Sequence, residues 1–234
     1  MTLRPIGETA EAEDLYGPFL WGDVDLYERF LSLAEQVRDV APDCVGMSAS
    51  LREHGITLTV MAADRRISTL DAVQYVDGGP CVDALREGTS VSAEDHAELG
   101  ESWPMFSEAA RRYGVCSTLS LPVRNLDEPM AGFNLYGGVS GAFAGLHEQL
   151  SDVLGTWAED CLVDADPTLA GLVRSRLAPT VMRQSTELTI VATLLAQAWS
   201  LQVGEAEQRL RDASERAVIP LSDLLDVMRH VLAA

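Results

Sequence analysis

Two glycines, a proline and a cysteine stand together at Gly78-Gly79-Pro80-Cys81, and the residues after them, to Gly88, have helical character. Three chemistries fit such a group: a glycine loop whose backbone N–H groups cradle phosphate, a thiolate favoured by a helix N-terminus, or a structural turn. No G-K-[ST] follows and no G-x-G-x-x-G is present, so the phosphate reading lacks its signature. No His or Lys accompanies Cys81 in the local sequence, and free cysteine is among the most buried residue types. The expected role is therefore structural, with Pro80 in the first turn of a helix, where its missing N–H costs nothing, and Gly88 ending it.

Other chemistry is thinly represented. The four cysteines (Cys44, Cys81, Cys116, Cys161) and four histidines (His54, His96, His147, His230) show neither C-x-x-C nor ligand spacing, so no metal site and no disulfide framework is expected. Carboxylates are abundant but spread out, with no paired acids, no G-x-S-x-G and no Cys/His signature. The expectation is a non-enzyme without a cofactor. All 17 basic residues are arginine, against 36 acidic ones. Residues 1–166 carry 29 acidic and 10 basic side chains, and residues 167–234 carry seven of each, so the whole net charge of −19 lies in the first part. Any nucleic-acid contact should therefore come from the neutral C-terminal part and be salt-sensitive. No apolar leader opens the chain and no run approaches a membrane span, which predicts a cytoplasmic protein without membrane contact.

The elements that would position such groups follow from hydrophobic periodicity. Residues 1–24 read as an acidic arm. Leu26, Phe30, Leu33, Val37 and Val40 recur at helical spacing and stop before Pro42. Residues 44–51 and 55–62 read as a hairpin of strands, and residues 89–92 as a strand stub. An amphipathic helix is expected over residues 106–113. A second hairpin spans residues 116–123 and 130–136, and a long helix covers residues 145–163. This order predicts an α+β sandwich on an antiparallel sheet.

The ordered motifs Gly79-Pro80-Cys81 with Ala84-Leu85 and Gly88, then Trp103-Pro104 with Phe106, then Tyr113-Gly114-Val115 leading to Leu119-Ser120-Leu121-Pro122-Val123, then Asn134-Leu135-Tyr136, resemble a GAF domain over residues 25–163. The resemblance implies a sheet of five or six strands with the terminal helices on one face and a small-molecule pocket on the other. For that pocket the candidate lining residues are Tyr75, Cys81, Trp103, Phe106, Phe133 and Leu135, all of which could equally be plain core. No chromophore-attachment cysteine is visible, and the ligand is unidentified.

Pro167 and Pro179 mark a connector over residues 164–182. Beyond it, residues 183–234 hold three amphipathic segments built on Val191, Leu194, Leu195 and Ala198, on Ala206, Leu210, Ala213 and Ala217, and on Leu221, Leu224, Leu225 and Met228. They read as a three-helix unit, small enough to need either the preceding domain or a second chain. Through Leu194-Leu195, Glu205-Ala206, Leu210-Arg211, Ala213-Ser214 and Leu221 with Asp223, this unit resembles an ANTAR domain, though Ala192 and Thr193 replace a polar or basic residue and a glycine usual in the family. The resemblance implies a homodimer that binds stem-loop RNA in transcription antitermination, gated by the GAF-like part. Arg183, Gln197, Arg209, Arg211, Ser214 and Arg216 are the candidate RNA contacts, since arginine pairs with phosphate and stacks on loop bases. Their acidic neighbours Glu205, Glu207, Asp212 and Glu215 leave open a sensory or scaffold protein that dimerises without RNA.

Overall fold

The structure, a computed structural model, describes residues 24–53, 56–125, 128–161 and 185–233. The arm over residues 1–23, the connector and Arg183 lie outside the described residues. Helix α1 (Val24–Val40) is followed by the antiparallel pair β1 (Cys44–Glu53) and β2 (Ile56–Ala62). Then come α2 (Arg65–Asp77), α3 (Pro80–Glu87), the short strand β3 (Val91–Ala93), α4 (His96–Ser102) and α5 (Pro104–Arg112). Strands β4 (Ser117–Asn125) and β5 (Glu128–Gly137) form the second hairpin, ahead of α6 (His147–Cys161) and the C-terminal helices α7 (Ser185–Trp199), α8 (Val203–Arg216) and α9 (Leu221–Val231). The five strands form one antiparallel sheet in the order β2-β1-β5-β4-β3.

Both faces of this sheet are buried, and they differ in kind. Strand side chains alternate with period two, so register fixes which residues share a face. Met47 lies opposite Leu135, Ala49 opposite Phe133, and Leu119 and Leu121 opposite Leu135 and Phe133 on the other side. These six form an apolar cluster with Phe30, Leu33 and Val37 of α1 and Leu150 and Leu154 of α6. One residue along, Ser48 and Ser120 flank Asn134, Thr118 lies opposite Tyr136, and Ser50 pairs with Thr59. That face is polar, yet it too is buried, under α2 and α3.

Helix α2 has no counterpart among the expected elements, nor has α4. Residues 67–76 are buried without interruption, because α2 lies between the sheet and the C-terminal helices. A helix covered on all sides shows no apolar stripe, so periodicity misses it. Its start is marked nonetheless by Asp64, whose carboxylate caps the N–H groups of Arg66 (2.8 Å) and Ile67 (3.1 Å). Ile67 rests on β1 at Gly46, where an added Cβ would come within 2.2 Å of its Cδ1.

The C-terminal helices lean on the rest of the chain. Helix α7 packs on α8 and α9, α8 lies on α2 and β2, and α9 lies on α2 and α5. Leu210, Ala213, Ile219, Leu224 and Met228 therefore share one apolar cluster with Leu70, Val73, Val76, Phe106 and Ala110. Among the described residues no helix is long and apolar enough to cross a membrane.

Candidate ligand-binding site

The polar face of the sheet and the helices above it form a continuous hydrogen-bonded network. At its centre is Asp71 of α2, which is 0% exposed. Its carboxylate accepts from the hydroxyls of Thr59 (2.9 Å) and Tyr136, the latter a short bond. Thr59 Oγ1 also lies 2.7 Å from the Tyr75 hydroxyl, and Gln74 Nε2 donates to Tyr136 Oη at 3.1 Å. The same Gln74 accepts the Cys81 N–H at 2.8 Å through Oε1, tying the start of α3 to α2. On the sheet, Asn134 Nδ2 donates to Ser48 (3.0 Å) and Ser50 (3.3 Å), and the Cys81 thiol points to Ser50 at 3.7 Å.

Burial sets the protonation states. It pushes the Asp71 carboxyl up to about 6, with hydrogen bonds from Tyr136, Ser48 and Thr59 pulling the other way. Burial, and next the charge of Asp71, raises both Tyr75 and Tyr136 well above the usual phenol range and the Cys81 thiol to about 12. Cys81 is thus a neutral thiol at neutral pH, without the thiolate that nucleophilic chemistry needs. Hydroxyls, a carboxyl and two amides offer donors and acceptors to a small polar molecule, with no activated nucleophile beside them.

Among the described residues, two buried side-chain polar atoms lack a hydrogen-bond partner: Thr118 Oγ1 and His96 Nδ1. Thr118, 2% exposed, is the register partner of Tyr136 and lies on the polar face. Buried hydroxyls are ordinarily satisfied, so this one marks a place on the face where a ligand atom would gain a bond.

The glycine pair serves this network. Gly78 has φ 100°, in the region that favours glycine, and Gly88 ends α3 at φ 66°. Gly79 is required for a different reason: a Cβ there would lie 2.4 Å from Gln74 Cγ and 2.5 Å from its Oε1. Gly79→Ala is expected to displace Gln74, freeing the Cys81 N–H, and to lower stability by about 2 kcal/mol. A urea midpoint equal to that of the parent protein would show that Gln74 does not hold α3.

Of the six residues proposed from sequence as pocket lining, Tyr75 and Cys81 lie in the network. Phe106 sits beside it, its ring 6.5 Å from that of Tyr136. Trp103 is half-buried and instead donates through Nε1 to Asp83 at 2.9 Å, joining the start of α5 to α3. Phe133 and Leu135 face the other way, into the apolar core under α1 and α6, because alternation gives the polar face to Asn134 and Tyr136. Sequence reasoning passed over Asp71, Gln74, Ser48, Ser50, Thr59, Thr118, Asn134 and Tyr136. The available signal was the recurrence of small polar residues at alternate strand positions, in Ser48 and Ser50, Thr57 and Thr59, and Thr118 and Ser120.

The candidate RNA contacts also divide. Gln197, Arg209 and Arg211 are exposed, with the Arg209 guanidinium 4.9 Å above the Trp199 ring. Ser214 is buried and donates to the Arg211 carbonyl at 2.8 Å. Arg216 turns away from solvent, its side chain 16% exposed. Its guanidinium lies 4.3 Å above the Tyr75 ring, and Nε donates to the Thr57 carbonyl at 2.7 Å. The C-terminal helices thus touch the polar network directly, through α8.

No protein-family model and no curated protein matches the chain. The chain is similar to several solved structures. The GAF domain of a two-component sensor histidine kinase from Bacillus halodurans is 12% identical, over 58% of this chain and 95% of that one, with a TM-score of 0.40. A type II free methionine-R-sulfoxide reductase from Thermoplasma acidophilum is 16% identical over 57% of this chain and 90% of that one, at 0.43. Escherichia coli SdiA is 12% identical over 91% of this chain and 97% of that one, at 0.41.

Proposed function

We propose that this chain is a cytoplasmic, non-catalytic regulator. A GAF-like unit binds a small molecule on its polar sheet face and governs an ANTAR-like helical unit that binds stem-loop RNA, as a homodimer, in transcription antitermination. The observation that carries the reading is the buried polar face itself. A sheet packed on both sides is expected to be apolar on both, and burying eight or so polar side chains under α2 and α3 is costly unless their groups have a use. The Thr118 hydroxyl, without a hydrogen-bond partner among the described residues, is a donor and acceptor that a ligand on that face could use. The absence of an ionised thiol at Cys81 favours sensing over chemistry.

Coupling to output would run through population shift, since a ligand that reorganises Tyr75 and Asp71 changes what Arg216 rests on. RNA contact falls to Gln197, Arg209 and Arg211 on the exposed side of α7 and α8, with Arg183 preceding them in sequence. A second reading, a sensory scaffold whose helices carry no RNA, is favoured by the inward turn of Ser214 and Arg216. Filter-binding titrations against stem-loop RNA separate the two, run over a salt series with and without a small-molecule cell extract. For a dimer presenting Arg209 and Arg211 from each copy, the affinity should fall with log salt at a slope of about −3. Binding that is salt-independent, absent, or indifferent to stem-loop structure would exclude the antiterminator reading.

A further inference from the structure

We propose that the packing of α8 and α9 on α2, α5 and β2 is an autoinhibitory latch, closed by Arg216 on Tyr75 and Thr57 and strained at Val218. The proposal rests on the reading of the C-terminal helices as the output unit and concerns how they are held. Three independent features meet at this contact.

The first is the placement of Arg216. Its Nε donates to the Thr57 carbonyl, its planar face lies on Tyr75 and its Nη1 is 3.6 Å from Asp212, which leaves the side chain 16% exposed and little of it to offer a phosphate. Tyr75 shares Thr59 with Asp71, which places the arginine two hydrogen bonds from the centre of the polar network. The closed contact thus withholds Arg216 and the buried Ser214 from the surface that carries Gln197, Arg209 and Arg211.

The second is the nature of the seam. Ion pairs border it: Arg65 of α2 with Asp223, Arg112 of α5 with Asp226 at 2.5 Å, and Glu108 of α5 with His230 at 3.7 Å once the histidine is protonated. The apolar cluster inside mixes alanines, Ala72, Ala109, Ala110, Ala213 and Ala217, with the larger Leu70, Phe106, Leu210 and Met228. Part-exposed ion pairs contribute little each and weaken with salt, so the border of the seam loosens as ionic strength rises.

The third is strain. Helix α8 ends in a turn where Ile219 N–H donates to the Ser214 carbonyl (3.1 Å) and Val218 N–H to the Glu215 carbonyl (3.2 Å). The end of α5 has the same pattern, Val115 to Ala110 and Gly114 to Arg111, with glycine at the left-handed position. In α8 that position is valine, at φ 54°. A β-branched residue there is a backbone outlier that persists only when its surroundings impose it. The turn that holds Val218 carries Ile219, 2% exposed, into the apolar cluster that α8 and α9 share with α2 and α5. Release of Ile219 from that cluster would free the turn and let Val218 relax.

Native-state hydrogen exchange of the full chain tests the latch. The expected result is that amides of α8 and α9 exchange through an opening that leaves β1, β4 and β5 protected, and faster at high salt. Arg216→Ala should speed that opening about fivefold or more, and Val218→Asn, whose side chain tolerates the left-handed region, should slow it by a similar factor. Exchange of α8 and α9 only in step with the sheet would overturn the latch, as would shifts of both variants in the same direction. The wild-type measurement decides the matter if a variant does not fold. Asp223→Asn with Asp226→Asn should open the seam while keeping Arg216, which separates the two readings. An opened seam with no gain in stem-loop RNA binding supports the latch and rejects RNA as the output. RNA binding by a chain whose α8 and α9 exchange only with the sheet rejects the latch alone.

Discussion

Phe133→Ala is expected to destabilise the fold by about 3–5 kcal/mol, the cost of emptying a fully buried aromatic site. Phe133 is 0% exposed between Ala49 and Leu121 on the apolar face, beneath α1 and α6. Neighbours on a sheet cannot close such a void without breaking register, so little of the loss is recovered by collapse. At this chain length the midpoint of thermal unfolding should drop by roughly 10 °C. The ligand-facing network on the other side of β5 should keep its geometry, because Asn134 and Tyr136 point away from the void. A loss below about 1 kcal/mol in urea unfolding would mean that α1 and α6 do not form the structural face described.

The contrast between Phe133 and Asn134 also shows what the sequence discloses and what it conceals. The boundaries of β1, α3 and α5 are nearly legible from turn residues and apolar spacing, since Pro80, Gly88, Pro104 and Gly114 act locally. The antiparallel sheet follows from the two hairpins. The side each residue takes does not, because in a sheet buried on both faces hydrophobicity no longer marks inside from outside. Phe133 and Leu135 thus entered the expected pocket on the strength of being aromatic or apolar, while Asn134 and Tyr136 were passed over. Helix α2 is hidden for a related reason: Asp71 and Gln74 interrupt its apolar pattern because they serve a polar interior. Arg216 could not be distinguished from Arg209 and Arg211 by spacing, and only the packing of α8 on α2 and β2 turns it inward.

Asp71 supplies the second large effect, a dependence of stability on pH. Its carboxyl sits at about 6 in the folded chain against an ordinary value of 3.8, because burial disfavours the charged form. Below about pH 4 both folded and unfolded states hold the proton, and the contribution is at its fullest. As pH rises toward about 6 the unfolded state has lost its proton while the folded state still binds one, so stability falls. Above the folded value the loss is complete, at about 3 kcal/mol for a displacement of this size. Asp77, also raised to about 6 by burial against the opposing charge of Arg209, moves in the same direction. Subtracting the Asp71→Asn profile from that of the parent isolates Asp71. The variant should lose most of the fall between about pH 4 and 6 and equal or exceed the parent in stability at pH 7. Parallel profiles would show that Asp71 ionises without cost and that the network is wetter than its burial implies.

The polar face of the sheet is the centre of the functional reading, and native mass spectrometry of the full chain incubated with a small-molecule cell extract tests it most directly. The expected result is a one-to-one mass increase in the parent protein, weakened about tenfold or more by Tyr136→Phe and by Asn134→Ala, as loss of well-placed buried hydrogen bonds requires. Phe133→Leu, on the opposite face, should leave the increase intact. No increase in the parent, or one that Tyr136→Phe and Asn134→Ala leave unchanged, would contradict a ligand site on this face.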